Sequence, residues 1–392
     1  MATIERRLAR AFGDDAPMTL GTGWASGVLG VFLGALAVGA VLCLHFPALL
    51  TAPELRVVYP MPVVRGLIQG GIVAAFASGL LSTVLRRRKA LGLTAMGLAL
   101  VATLLGGAEV PVATPVPRHP HLGLDWFLLS LFLTALLFVP LERLRPLRPE
   151  QGTFRREWTT DLGWFFTSHV AVQALSLVVM WPAAALAPRL AVPSLQVAVA
   201  TLPLVVQVAA IVVVADLAQY AVHRAFHEVP VLWRFHRVHH SSTAIDWLAG
   251  SRLHLADVVA TRGLVLLPLA ILGFAPAAIY AYLTLVSVHA VFIHANFAPR
   301  ARWLERIIVM PHFHHWHHAD ELAAVNRNYA VHLPWIDRVF GTAYEPAGWP
   351  SGYGLADGAA PAGVVAQLLW PFRGSLDARP SAAESIVERR AP

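Results

Sequence analysis

The chain has 392 residues, of which 57% are hydrophobic and 14% charged, with a formal net charge of +7 and a mean hydropathy of +0.59. Soluble domains carry about 25% charged residues, so this composition excludes a soluble domain and indicates an integral membrane protein. It also argues against a nucleic-acid partner, because the basic residues cluster at the ends of apolar runs (Arg6, Arg7 and Arg10; 86–89; Arg143, Arg145, Arg148, Arg155 and Arg156) and form no dispersed binding face.

A bilayer demands roughly 20 apolar residues of a spanning helix. Runs of that kind predict spans at 24–46, 63–85, 124–141, 162–186 and 197–221, with a shorter sixth at 90–106. The first is too long for the core of a signal peptide and no cleavage site follows it, so it reads as a retained span and no signal peptide is expected. The stretch 263–293 exceeds one span and is interrupted by Gly273 and Pro276, which predicts a helical hairpin whose ends return to one side. Beyond residue 346 the chain is rich in Ala, Gly and Pro; 360–370 reads as an interfacial segment and the last residues as disordered. Counted from a cytoplasmic N-terminus, all three basic clusters fall on the cytoplasmic side, as the positive-inside rule requires. The same parity carries 223–254 and the end of the hairpin to that side. Of the 30 basic residues 29 are arginines, which points to a GC-rich bacterial source and hence to the inner membrane. The single cysteine, Cys43, rules out an intrachain disulfide or a cysteine-ligated cluster.

Fourteen of the 18 histidines follow residue 220, most of them in three clusters: His223 and His227; His236, His239 and His240; and His314, His315, His317 and His318. A helix brings residues three and four apart onto one face, so this spacing aims two or three imidazoles at one point. His289 and His294 close the hairpin. Counting His223, His227, His236, His239, His240, His289, His294, His314, His317 and His318 gives ten candidate ligands. A single tetrahedral zinc takes four, so ten suggest two adjacent metals with about five nitrogens each. His312 and His315 lie in the third cluster and leave a shifted register open. Trp233, Phe235, Trp316 and Trp335 interleave the clusters, which argues against a low-complexity histidine tract.

Asp216, Tyr220, His223, Arg224, His227 and Glu228, followed by Trp233, His236, His239, His240 and Ser241, resemble the fatty acid hydroxylase (sterol desaturase) superfamily of membrane di-iron oxygenases. Arg252 and His254, His289 and His294, the cluster from Pro311 to His318, Asn328 and Tyr329, and the closing Trp335, Asp337, Arg338, Gly341 and Thr342 keep the same order. The resemblance spans 121–345, so 1–120 reads as an N-terminal membrane region of about three spans and 346–392 as a tail. It implies that the ten histidines ligate two iron ions, with His314, His317 and His318 as the register of the third cluster. It further implies O2, an external electron donor and a lipid-type substrate: a fatty acyl chain, sterol, ether lipid or carotenoid that is hydroxylated or desaturated.

The expected fold class is therefore an all-α integral membrane protein, a multi-span helical bundle with a cytoplasmic histidine-rich helical cap. Ligating histidines generally donate their second N–H to a carboxylate or carbonyl, which makes Asp216, Glu228 and Asp337 candidate partners; His254 is a candidate for either that role or direct ligation. His45, His119, His121 and His169 lie outside the clusters and read as structural. The alternatives are a zinc-dependent membrane lipid hydrolase and a metal-handling membrane protein, and zinc is an expected occupant of purified protein because imidazole sites bind it well.

Overall fold

The computed structural model describes residues 21–112, 121–299, 301, 303–355, 358 and 360–373. Arg6, Arg7, Arg10, His119 and the end of the tail lie outside them. Among the described residues the chain is helical, and extended pairing is limited to two isolated bridges, Pro146 with Phe297 and Ala319 with Tyr353. Among the described residues seven helices are long and apolar enough to cross a membrane, or eight when one bent pair is taken as a span. The protein is a multi-pass all-α membrane protein.

The chain divides into two compact units, Met1–Leu133 and Thr134–Pro392. In the first, α1 (Trp24–His45), α2 (Met61–Leu85) and α3 (Ala90–Leu104) pack mutually around Val41, Ile72, Ala75, Ala99 and Ala102. Small residues permit this close approach, as in membrane helix pairs generally: a Cβ at Gly30 would come within 2.8 Å of Ala95 Cβ and 3.0 Å of the Ala75 carbonyl. The division falls within α4 (Leu124–Leu144).

The second unit contains α5 (Trp158–Ala174) and α6 (Ser176–Leu190). The run read as one span at 162–186 is here a pair broken at Leu175 and bent by 49°. The span expected at 197–221 is also shifted. Thr201–Pro203 interrupts it, because proline cannot extend the preceding helix, and α7 runs instead over Leu204–Glu228. That shift puts His223 and His227 inside the last turns of α7 rather than after it. The short α8 (Pro230–His236) follows.

The hairpin forms as expected, from α9 (Leu255–Leu272) and α10 (Pro276–His294), with Gly273 at φ 70° ending α9. Its inner faces pack on α7 through Ile211, Ala215, Leu269, Ala278 and Tyr282. The chain continues through α11 (Pro311–His317), α12 (Trp335–Phe340) and α13 (Val364–Leu369). The segment read as interfacial is anchored through buried Gln367, whose Oε1 accepts from Trp164 Nε1 at 2.6 Å.

A candidate metal centre of nine histidines

The i, i+4 spacing of His223 and His227 sets both rings on one face of the last turns of α7, their centroids 5.0 Å apart. His236 ends α8, and a tight turn over His239–Ser241 follows. His314 and His317 lie on α11 with His318 capping it, and His294 is the last residue of α10. These segments bring together nine of the ten candidates in two groups. His223, His227, His236, His240 and His317 form one, and His239, His294, His314 and His318 the other, with the ligand atoms of each group within 4.8 Å of one another. All nine side chains are buried.

The two groups interleave. In both HxxHH clusters the first and last histidines, four residues apart, serve one group, and the middle histidine, His239 or His317, serves the other. The groups abut where the rings of His240 and His318 stack with centroids 4.4 Å apart.

Five of the nine have an acceptor at Nδ1. The Tyr329 carbonyl lies 2.7 Å from His223 Nδ1, the Asp257 carboxylate 2.6 Å from His236 Nδ1, and the Arg252 carbonyl 3.3 Å from His239 Nδ1. The carbonyls of Ala290 and Arg327 lie 2.7 Å from Nδ1 of His294 and His317. A carbonyl only accepts, so Nδ1 carries the proton and Nε2 keeps its lone pair.

The Nε2 atoms of His223 and His236 lie 3.1 Å apart, and those of His294 and His314 2.9 Å apart. Among the described residues His227 Nε2, His240 Nε2, His317 Nε2 and His314 Nδ1 are buried with no hydrogen-bond partner. Buried polar nitrogens are rarely left so. Burial first, then neighbouring imidazoles, holds His239, His240, His314, His317 and His318 well below the ordinary histidine value. The rings are therefore neutral, as ligation requires. A buried, all-nitrogen donor set in two adjoining groups fits a pair of imidazole-binding metals.

His289 joins neither group: its Nδ1 is 2.9 Å from His332 Nδ1 and its Nε2 is 2.9 Å from the Val309 carbonyl. His312 faces the Gly348 carbonyl, and His315 lies between the Tyr353 hydroxyl and the Ala295 carbonyl. Of the registers open in the third cluster, His314, His317 and His318 is thus the one that converges. His45 and His169 are held by the carbonyls of Leu105 and Phe165.

None of the four candidate partners meets a converging histidine directly. Asp216 accepts the backbone N–H groups of Val331, His332 and Leu333. Asp337 accepts those of Tyr329 and Ala330 and the Thr342 hydroxyl. Both carboxylates thus tie down the strap whose carbonyls at Arg327 and Tyr329 orient His317 and His223. Glu228 pairs with Arg224 at 2.8 Å on the exposed side of α7. His254 caps α9, its Nδ1 accepting from Ala256 N–H, and its Nε2 faces the Leu368 carbonyl.

The carboxylate that does reach a ring is Asp257, in the first turn of α9. The loop that carries the Arg252 carbonyl is held by a buried ionic cluster in which Arg252 and Arg155 share Asp161, each at 2.6 Å, and Arg155 also grips Asp246 at 2.7 Å.

Residues 208–342 match the family model "Fatty acid hydroxylase". Over 172 residues the chain is 34% identical to ornithine lipid hydroxylase OlsE of Rhizobium tropici, covering 43% of this chain and 51% of that protein. Over 141 residues it is 31% identical to human alkylglycerol monooxygenase, covering 36% of this chain and 31% of the relative. A shorter stretch of 53 residues is 47% identical to fatty acid hydroxylase vlmA of Lecanicillium, 12% of this chain and 14% of the relative. The matches therefore span about half the length of the rhizobial protein and about a third of the human one. No solved structure matches the chain. Eight of the nine converging histidines lie in HxxxH and HxxHH spacings inside the matched segment, with His294 between them, and it is this histidine-bearing segment of the chain that is similar to the fatty acid hydroxylase family.

Proposed function

We propose that the protein is a membrane-bound, O2-dependent di-iron oxidoreductase that hydroxylates or desaturates a lipid-type substrate, drawing electrons from an external donor. The observation that carries this reading is the convergence of nine buried histidines in two abutting groups. A catalytic zinc takes three protein ligands and an open position, so a zinc hydrolase accounts for one group and leaves the other unexplained. Iron, when bound, supplies the activation of O2 that attacks an unactivated C–H bond, a task beyond side chains alone. The chain's own part is to hold and orient: His223, His227, His236, His240 and His317 for one ion, and His239, His294, His314 and His318 for the other. Asp257 and the surrounding carbonyls fix the ring orientations.

The named relatives act on ornithine lipids, alkylglycerols and fatty acids, which supports a lipid-type substrate here. On this reading 121–345 is the functional domain, 1–120 an added membrane region and 346–392 a tail. The basic clusters that precede and follow the early spans support an active site on the cytoplasmic side of a bacterial inner membrane.

The test compares lipid extracts of cells with and without the protein by mass, and measures metal content and O2 uptake of purified protein. A lipid that gains one oxygen or loses two hydrogens, about two irons per chain and reductant-dependent O2 uptake are expected. Turnover with zinc and no reductant would overturn the reading in favour of hydrolysis.

A further inference from the structure

The N-terminal unit contains an elongated cavity of about 420 Å3 between α1, α2 and the start of α4. That lies within the roughly 300–1,000 Å3 of small-molecule sites. The cavity follows α1 from Leu33 to Leu44 and α2 from Met61 to Ala74, so at 1.5 Å per residue it is roughly 16–20 Å long. Its walls are aliphatic and aromatic, including Leu36, Leu128 and Phe132.

The space exists because α2 presents no side chains to it at three positions. Gly66, Gly70 and Gly71 line the cavity, and a Cβ built on any of them would meet no atom within 4 Å. In a bundle where Gly30 and Gly79 allow helices to touch, these three glycines face open room. Glycine inside a helix costs about 1 kcal/mol relative to alanine, and here no helix contact explains it.

One end of the cavity is polar. Asp125 has its oxygens engaged by the N–H groups of Ala52 and Trp126 and by the Tyr59 hydroxyl. Arg56 also lines this end, and its Nε is buried without a hydrogen-bond partner among the described residues. Arg56 shares this end with the Asp125 carboxylate, and its unfilled Nε–H calls for an acceptor oxygen, which an ionised head group supplies most strongly.

We propose that this cavity binds one aliphatic chain of an anionic amphiphile, with the chain along Gly66, Gly70 and Gly71 and the head at Arg56. The length, the apolar walls and the Arg56 donor at one end fit a fatty carboxylate or an acyl chain of an anionic phospholipid. The site is independent of the histidine centre and of the reaction assigned to it.

Purified full-length protein is photolabelled with palmitate bearing a mid-chain diazirine, with unlabelled palmitate or phosphatidylglycerol as competitor, and the labelled peptides are mapped. Labelling is expected within Trp24–His45 and Met61–Leu85 and should be saturable. Competition by palmitate alone identifies a free fatty carboxylate as the ligand, and competition by phosphatidylglycerol alone identifies a phospholipid chain. Gly70→Leu should lower labelling by about tenfold, the effect of excluding about two methylenes from an apolar site. Arg56→Gln should weaken palmitate competition by about fivefold while leaving labelling by an uncharged diazirine alkane unchanged. Labelling that neither competitor reduces, or that spreads evenly over the lipid-facing helices, overturns the proposal on the wild-type protein, whatever the folding of the variants. Wild-type labelling in a folded Gly70→Leu protein overturns it equally.

Discussion

Asp257 Oδ2 lies 2.6 Å from Nδ1 of His236, and Thr261 Oγ1 donates to the other oxygen of the same carboxylate at 3.0 Å. The carboxylate thus fixes the His236 tautomer and is itself fixed by the next turn of α9. Asp257→Asn keeps the shape but removes the charge that raises the basicity of the ring. Loss of such a partner typically costs about 10–100-fold in metal affinity. Iron titration of the variant should show that loss with the helical content unchanged.

His239 and His317 are the members of their clusters that serve the opposite group. His239→Ala and His317→Ala should each abolish activity and lower the metal content, while insertion into the membrane persists because the apolar spans form without the centre. His312→Ala, whose ring faces the Gly348 carbonyl, should retain both metals. Metal analysis of the purified variants checks the contrast, and equal losses in all three would show that the grouping has no bearing on binding.

Gly250 is held to glycine by proximity. A Cβ there would come within 2.7 Å of His294 Nδ1 and 3.0 Å of its Cγ, where the ring has no flexible end to give way. Gly250→Ala should push His294 off the Ala290 carbonyl and weaken the four-histidine group directly. The metal content of the purified variant should fall below that of the wild type, since a ligating ring needs its orienting hydrogen bond.

The strap over 327–333 hangs on two carboxylates. Asp216→Ala would strand three backbone N–H groups, two of them 3.0 Å or less from Oδ2 and the third 2.9 Å from Oδ1. Each unsatisfied buried donor costs about 1–3 kcal/mol, so thermal unfolding in detergent should show one of the larger losses of any single substitution. Glu228→Ala, which removes only an exposed pair with Arg224, should change stability little.

Acid should destabilise the metal-free protein. Burial and then the His294 ring push His315 down to about 3, and burial and then the His289 ring do the same to His332. Burial likewise holds His239, His240, His314, His317 and His318 well below normal. Histidines of the unfolded chain titrate near 6.5, so below that pH the unfolded state binds more protons. Stability is then undiminished above about pH 6.5 and declines as pH falls from there towards 3. A Tm series from pH 7.5 to 4 on chelated protein measures it, and a flat series would contradict the burial of these rings.

Much of the centre was readable because its ligands sit at helical spacings, which sequence displays directly. His289 was placed with the ligands by the resemblance and by its position at the end of the hairpin, and not by helical spacing. It stands five residues before His294, and at 3.6 residues per turn that separates the two side chains by about 140°, so one helix cannot aim both at the same point. The helix hairpin was readable from Gly273 and Pro276, whereas the start of α7 depended on weighing Pro203 against a continuous apolar run. Asp257 was out of reach for another reason. It is brought to His236 by the packing of α8 on α9, and nothing local distinguishes it from the neighbouring His254, which turns to Leu368 instead. The backbone carbonyls of Arg252, Arg327 and Tyr329 carry no side-chain signature at all.

The crossing of His239 and His317 gives the centre a mechanical property. Any movement of α11 shifts His314 and His317 together, and so disturbs both groups; any movement of the turn after α8 does the same through His239 and His240. Neither half can be taken apart while the other stays at rest. Extraction by a chelator should accordingly follow a single sigmoidal course, with few molecules retaining one ion, and reloading should be similarly all-or-none. Such a centre would resist gradual erosion when iron is scarce, yet once breached it would empty completely.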